Sequence, residues 1–131
     1  MLKFTKLLLI LSWLVLIFAS SQIILPESDP VYKKVLYDYI FDKDTHVLLY
    51  SGLTFLILNF LACYPVRFRR SALCTIVVAV LFGASDEYHQ SFVSGRDASL
   101  YDLAFDVIGS ITGIAVYWLW FGAKRFHNVK K

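Results

Sequence analysis

The chain has 131 residues, of which 58% are hydrophobic and 17% aromatic, with a mean hydropathy of +0.61 and a formal net charge of +3. A soluble domain of this length could not bury so much apolar surface. The composition therefore excludes an ordinary soluble enzyme and indicates an integral membrane protein. There is no room for a second domain, so residues 1–131 are treated as one membrane domain.

Four apolar runs are long enough to cross a bilayer, for which a helix needs about 20 residues. They predict helices at about residues 7–25, 46–64, 71–90 and 103–122. Because lipid offers no hydrogen bonds to bare backbone, helix is the secondary structure that suits such runs. The sequence predicts an all-α bundle of four transmembrane helices with short loops.

The first run also fits a cleaved signal peptide. Lys3 and Lys6 precede it, and the small residues 19–21 resemble a cleavage site. The apolar run resumes at Ile23 and reaches spanning length, which favours a retained helix.

The segment 26–45 predicts a short amphipathic element on the outer surface of the membrane. Its apolar side chains, such as Val35 and Ile40, would face lipid, and Lys33, Lys34 and Asp38 would face water.

The distribution of Lys and Arg predicts the orientation. Nine of the 13 precede the first run, lie between the second and third runs, or follow the last run. The positive-inside rule then places both termini in the cytosol and all ten Asp and Glu on the outer side. We predict a multi-pass protein of the cytoplasmic membrane with an external polar site. The basic residues flank helices beside anionic headgroups, so nucleic acid is not a predicted partner.

Several carboxylates lie at the outer boundary of the membrane or within it. A helix that begins near Ser71 rises about 22 Å over 15 residues, less than a hydrocarbon core of about 30 Å. Asp86 and Glu87 follow directly, and Asp106 lies one turn inside Asp102 on the fourth helix. Carboxylates at such depth normally face the bundle interior with a partner.

Helical spacing places the polar residues on shared faces of three helices. The sets are Asp42, His46 and Tyr50; Asp86 and Gln90; and Asp102, Asp106, Gly109 and Gly113. The two glycines predict a close approach of the fourth helix to a neighbour. Together the three faces predict one outward polar pocket, with Arg96 compensating the acids.

Three segments resemble the pattern of the VanZ-like family of small bacterial membrane proteins. They are residues 42–46 with Tyr50, residues 86–96, and Asp102 and Asp106 with Gly109 and Gly113. Ser94 departs from the family pattern, which often has Pro there, and Asp106 replaces the usual Asn. The resemblance implies a small helical bundle with an outward polar cluster. It also implies a link to resistance to the glycopeptide antibiotic teicoplanin.

The polar residues carry predicted roles. His46, with Asp86 or Glu87, is predicted to move protons as a general base. The planar guanidinium of Arg96 is predicted to bind phosphate while pairing with nearby acids. The substrate-binding set comprises Arg96, Gln90, Tyr50, Asp102 and Asp106.

Two structural alternatives accompany these roles. Ser99 and Asp102 fit a capping box, in which Asp102 would satisfy backbone N–H groups at the start of the fourth helix. Arg96 could serve only to hold the third and fourth helices together through ion pairs.

A metal site is a further alternative. Its candidate ligands for Mg²⁺, Mn²⁺ or Ca²⁺ are Asp86, Glu87, Asp102 and Asp106 with His46 or His89. No spacing is as diagnostic as H-E-x-x-H, so no cofactor is predicted.

Three classes of function follow. The leading one is recognition or handling of an anionic envelope lipid or a polyprenyl-linked wall precursor, whose phosphate meets Arg96. The second is a hydrolase or group transferase acting on that lipid, in which Arg96 stabilises phosphoryl or acyl charge. The third is a structural or regulatory partner of a membrane complex, or a homo-oligomer, in which the polar cluster locks helices together.

Overall fold

A computed structural model describes residues 2–21, 31–93 and 99–122. Four α-helices make up nearly all of these ranges: α1 Leu2–Ser21, α2 Val31–Leu61, α3 Phe68–Gln90 and α4 Leu100–Phe121. The described residues contain no strand. By length and composition, each helix contains a stretch that could cross a membrane. The predicted all-α fold with four membrane-spanning helices is therefore confirmed.

The largest difference from the predicted bounds is in α2. Its candidate span is Lys43–Leu61, but the helix already begins at Val31. Residues 31–42 thus continue α2, where a separate surface element was predicted. The sequence from 31 to 51 contains no Pro or Gly, the two residues that most disfavour a helix interior. The predicted lipid and water faces of this segment lie outside the described side chains.

Helix α2 is the centre of the bundle. It contacts α1, α3 and α4, and packs most extensively against α4. One buried cluster joins Ile10 and Ile17 of α1 to Leu53 of α2. A second joins Leu58 of α2 to Tyr117 of α4. The apolar contacts therefore fix α1 and α4 on the same central helix.

Helix α4 approaches α2 closely at its two glycines. A Cβ built on Gly113 would lie 2.1 Å from Thr54 Oγ1 and 2.3 Å from Ser51 O. A Cβ on Gly109 would lie 2.6 Å from Val47 O. Ser51 Oγ also donates a hydrogen bond to Gly109 O at 2.9 Å. The predicted close approach of the fourth helix is confirmed, and its partner is α2.

Polar side chains lie inside the bundle and large apolar side chains outside. Thr54, Thr75 and Ser110 are fully buried, whereas Leu73 and Leu119 are 65% and 84% exposed. Soluble monomers rarely expose contiguous apolar surface on this scale. The arrangement suits a protein whose outer surface contacts lipid.

The end of the bundle near the start of α1 is closed by a polar contact. Lys6 Nζ donates to Asn59 O at 2.8 Å and lies 3.2 Å from Cys63 Sγ. Cys63 and Cys74 are both free thiols. These contacts tie the first turns of α1 to the last turns of α2.

Thiol labelling tests the predicted orientation. Tyr64, after α2, and Phe92, after α3, are exposed at opposite ends of the bundle. Both variants are made in a chain with Cys63 and Cys74 changed to Ser. We expect an impermeant maleimide to label Phe92→Cys in intact cells but not Tyr64→Cys, because the arginine-rich connection between α2 and α3 is predicted to lie in the cytosol. Both variants should react in permeabilised cells. The reverse pattern in intact cells would overturn the orientation.

Candidate functional site

A cluster of polar side chains lies between the helices at the end opposite Lys6. We call it the polar cluster and define it as Lys43, His46, Asp86, Glu87, Gln90, Asp102 and Asp106. All of them except His46 are at most 9% exposed. Helix α2 contributes the two basic groups, and α3 and α4 contribute the acids and the amide.

Two polar side-chain pairs join α2 to α4. Lys43 Nζ donates to Asp102 Oδ1 in a buried ion pair. One turn further along, His46 Nδ1 lies 2.8 Å from Asp106 Oδ1. The pairs align because spacings of three and four residues share a helix face. His46 is therefore oriented by Asp106, whereas Asp86 or Glu87 was predicted as its partner in proton transfer.

The two carboxylates of α3 have other partners. Asp86 accepts hydrogen bonds from Ser21 Oγ at 3.0 Å and from Gln90 Nε2 at 2.9 Å. Glu87 Oε2 accepts from the backbone N–H of Ser99 at 2.7 Å. Glu87 Oε1 is buried and has no hydrogen-bond partner among the described residues. Glu87 thus keeps one carboxylate oxygen available inside the cluster.

The start of α4 shows a variant of the predicted capping box. Ser99 is the N-cap residue, and its hydroxyl accepts from Tyr101 N at 3.2 Å. The carboxylate that binds the backbone N–H of Ser99 belongs to Glu87 on α3. The Asp102 side chain pairs with Lys43. The cap therefore links α3 to α4, and Asp102 is part of the charged site.

Tyr50 lies at the inner limit of the polar cluster. It is 1% exposed, and its ring is nearly parallel to that of His46, with centroids 6.5 Å apart. A Cβ on Gly83 would lie 2.6 Å from Asp106 Oδ2 and 3.2 Å from Tyr50 Oη. Because glycine has no side chain, position 83 leaves space for the Asp106 carboxylate and the Tyr50 hydroxyl.

Two predicted residues are not described as side chains. Arg96 lies outside the described residues, and Asp42 belongs to α2 but lies outside the described side chains. The phosphate contact of Arg96 and the alignment of Asp42 with His46 remain predictions. The structure brings the other predicted site residues together, and their chemical roles likewise remain predictions.

Two residues that contact the predicted site residues are absent from the predicted set. Lys43 is predicted as an external charge and belongs to the segment 42–46 that resembles the family, and it lies three residues before His46 on the same face. Ser21 is predicted only as part of a cleavage site, yet its hydroxyl donates to Asp86. The spacing could have identified Lys43. No local pattern identifies Ser21, because its contact joins residues 65 positions apart.

Three side chains are placed so that they could hold a metal ion. His46, Glu87 and Asp102 each offer one donor atom, and the three atoms lie within 4.8 Å of one another. They come from α2, α3 and α4. His89, another candidate ligand, instead packs edge-on against Phe18, with ring centroids 4.7 Å apart.

An apolar groove lies on the side of the bundle between α1 and α2, nearer the middle of these helices than the polar cluster. Its volume is about 540 Å³, and its lining includes Leu9, Trp13, Gly52 and Phe55. Trp13 is fixed there by a hydrogen bond from Nε1 to Leu49 O at 2.9 Å. Gly52 and Phe55 lie about 9 to 14 Å along α2 from His46, at 1.5 Å per residue.

Comparison with known proteins identifies a family. The model of the VanZ/LLP1 family matches residues 4–121, a range that includes the polar cluster and nearly all of the four helices. No curated protein and no solved structure matches the chain significantly. The match extends over far more than half of the sequence. The chain belongs to the VanZ/LLP1 family.

Proposed function

We propose that the protein recognises and handles the headgroup of an anionic envelope lipid or a lipid-linked wall precursor. The polar cluster would receive the headgroup at the external face of the cytoplasmic membrane. Arg96 would contact the phosphate, and the neighbouring side chains would orient the rest of the headgroup. Teicoplanin resistance would follow indirectly from a changed envelope target or changed access to it.

The burial of carboxylates within membrane-spanning helices carries this proposal. Asp86, Glu87, Asp102 and Asp106 are between 1% and 8% exposed and belong to helices apolar enough to span. On insertion scales a charged residue costs about 2.5 to 3.5 kcal/mol at the centre of such a helix and less toward its ends, where these acids lie. Four acids kept together against this penalty mark a site with a function.

A purely structural lock explains less of the geometry. The pairs Lys43–Asp102 and His46–Asp106 would be enough to join α2 to α4. Glu87 also links α3 to α4 through Ser99, but its Oε1 atom is buried with no hydrogen-bond partner in the described part of the chain. A contact that only joins helices would gain no stability from such an oxygen. A site that binds a ligand group or an ion would use the oxygen as an acceptor or as a metal ligand.

The apolar groove supports an amphiphile as the ligand. It lies between α1 and α2, nearer the middle of these helices than the polar cluster, and is lined largely by side chains such as Leu9 and Phe55. A bound lipid needs polar contacts for its head and apolar contacts for its tail. The chain offers both kinds of contact along α2, with the apolar lining at Gly52 and Phe55 six and nine residues after His46.

Catalysis at the same site is the second candidate, and the pair of His46 and Asp106 favours it. An imidazole held by a carboxylate at 2.8 Å has a fixed orientation, as a general base requires. Removal of a general base typically lowers a rate by about 100-fold to 10,000-fold while affinity changes little. Binding and turnover can therefore be separated at His46.

Native mass spectrometry of the purified protein tests the proposal. We expect the wild type to retain an anionic lipid, and Arg96→Ala to lose it. Arg96→Lys should bind weakly, because an ammonium restores the charge without the bidentate fork. Asp44→Asn is the matched control, since Asp44 is an exposed acid next to Lys43. A wild type that retains no lipid, or equal binding by Arg96→Lys, would contradict the phosphate contact.

The same samples separate recognition from catalysis. Teicoplanin sensitivity of cells that express each variant is measured beside the bound lipid. If the protein only binds, His46→Gln should reduce lipid binding and resistance together. If it is an enzyme, His46→Gln should retain the lipid and lose the resistance.

A further inference from the structure

Three helices place one nitrogen donor and two oxygen donors around a common point. The donor atoms of His46, Glu87 and Asp102 lie within 4.8 Å of one another. Two donors that each bind an ion at 2.1 Å are at most about 4.2 Å apart. Small side-chain movements are therefore enough to bring all three donors onto one ion.

Glu87 provides a second, independent sign of a ligand. The residue is 8% exposed, and its Oε1 atom is buried with no hydrogen-bond partner among the described residues. Its other oxygen is fixed by the Ser99 backbone N–H. A buried carboxylate oxygen without a donor is unfavourable, and a cation would satisfy it.

The surrounding contacts match those that support metal ligands. A ligating histidine usually donates its other ring N–H to a carboxylate, and ligating carboxylates are themselves hydrogen-bonded. His46 Nδ1 is 2.8 Å from Asp106 Oδ1, so this carboxylate is placed to orient the imidazole. Glu87 is fixed by Ser99 and Asp102 by Lys43. Each of the three donors thus has a supporting partner.

The charge balance points the same way. Within the described part of the polar cluster, four carboxylates face one ammonium and one imidazole, and the predicted pairing with Arg96 would add one further positive charge. In a membrane bundle, uncompensated negative charge is strongly unfavourable. A divalent cation at the three donors would offset two of the negative charges.

We propose that His46, Glu87 and Asp102 form a binding site for a divalent transition-metal ion, Mn²⁺ or Zn²⁺. One imidazole with two carboxylates suits these ions, whereas Ca²⁺ prefers six to eight oxygen ligands. The inference goes beyond the proposed lipid function, because the ion would bind whether or not a lipid is present. His46 would then serve as a ligand and could not act as the general base.

Calorimetric titration of the purified, chelator-treated chain with Mn²⁺ alone tests the site. We expect saturable binding of one ion per chain. Glu87→Gln and His46→Gln should each weaken the affinity by at least about tenfold, because the first replaces an anionic ligand by a neutral amide and the second removes the imidazole. Zn²⁺ should compete with Mn²⁺ for the same site. Since no lipid is measured, failure here leaves the lipid proposal unaffected.

Asp86→Asn is the matched control. It removes a buried acid from the same cluster, but Asp86 does not belong to the three donors and is bound by Ser21 and Gln90. This variant should weaken the Mn²⁺ affinity much less than Glu87→Gln does, because it removes a negative charge but no donor. Equal weakening by Asp86→Asn and Glu87→Gln would reduce the effect to general negative charge and overturn the site. Absence of saturable binding by the wild type up to millimolar Mn²⁺ would also overturn it.

A spectroscopic measurement on the wild type avoids dependence on how the variants fold. Pulsed electron paramagnetic resonance of bound Mn²⁺ should show coupling to an imidazole nitrogen, because His46 is a ligand. His89→Gln, which changes a histidine outside the three donors, should retain the coupling. Bound Mn²⁺ without nitrogen coupling would contradict the assignment of His46.

Discussion

Replacement of Lys43 by Met is expected to destabilise the bundle by about 3 to 5 kcal/mol, the usual effect of breaking a buried ion pair from one side. Asp102 is 4% exposed and would remain as a buried acid beside other acids of the polar cluster. Lys43 is itself 9% exposed, so water could not readily take its place. The measurement is reversible unfolding in mixed micelles with rising dodecyl sulfate, followed by circular dichroism.

A double-mutant cycle shows whether the effect belongs to the pair. Lys43→Met with Asp102→Asn should be more stable than Lys43→Met alone, because the buried charge has gone. Coupling between contacting residues is typically about 0.5 to 3 kcal/mol. Arg70→Met, at an exposed position of α3, should change stability by no more than about 0.5 kcal/mol. Additive effects at Lys43 and Asp102 would show that the ion pair does not stabilise the bundle.

Substitution of Gly113 by Ala is expected to separate α2 from α4 and to destabilise the protein by about 1 to 3 kcal/mol, the range for overpacking. In an unobstructed helix the same change would stabilise by about 1 kcal/mol, so the sign itself is informative. The added methyl group would meet Ser51 O at 2.3 Å, and a backbone atom cannot move without shifting the helix. The same unfolding assay measures the effect.

Gly109→Ala should act in the same direction, since its Cβ would lie 2.6 Å from Val47 O. It should also disturb the polar cluster, because His46 is the residue before Val47. The control is Ala115→Leu on the exposed face of α4, which adds bulk toward lipid and should be nearly neutral. If Gly113→Ala increased stability, the close contact between α2 and α4 would be wrong.

The number of helices could be predicted because a bilayer imposes a minimum apolar length. The start of α2 could not, because Asp42, Lys43 and Asp44 interrupt the apolar pattern and resemble a loop. A helix continues through polar residues as long as nothing breaks its backbone hydrogen bonds. Hydropathy marks where the lipid begins, and backbone propensity marks where the helix begins.

The sequence could predict which residues belong to the site. It could not predict which of these side chains pair with one another. Helical spacing places His46 and Asp106 on faces that point inward, but the register between α2 and α4 decides which groups meet. That register depends on the contacts of Gly109 and Gly113 with α2, which the sequence does not identify. The sequence likewise predicts proton transfer for Glu87 but not its hydrogen bond from the Ser99 backbone N–H, which depends on how the end of α3 meets the start of α4.

The groove between α1 and α2 opens at the side of the bundle, where Leu9 and Leu16 are half exposed. A ligand that enters there would come from within the bilayer and never pass through water. The concentration that determines how much ligand is bound is then the mole fraction of the ligand among the lipid molecules. The volume of the sample has no influence on it. Affinities measured in detergent would change with the ratio of lipid to detergent even at constant molarity. Titrations of this protein should therefore be compared at equal mole fraction.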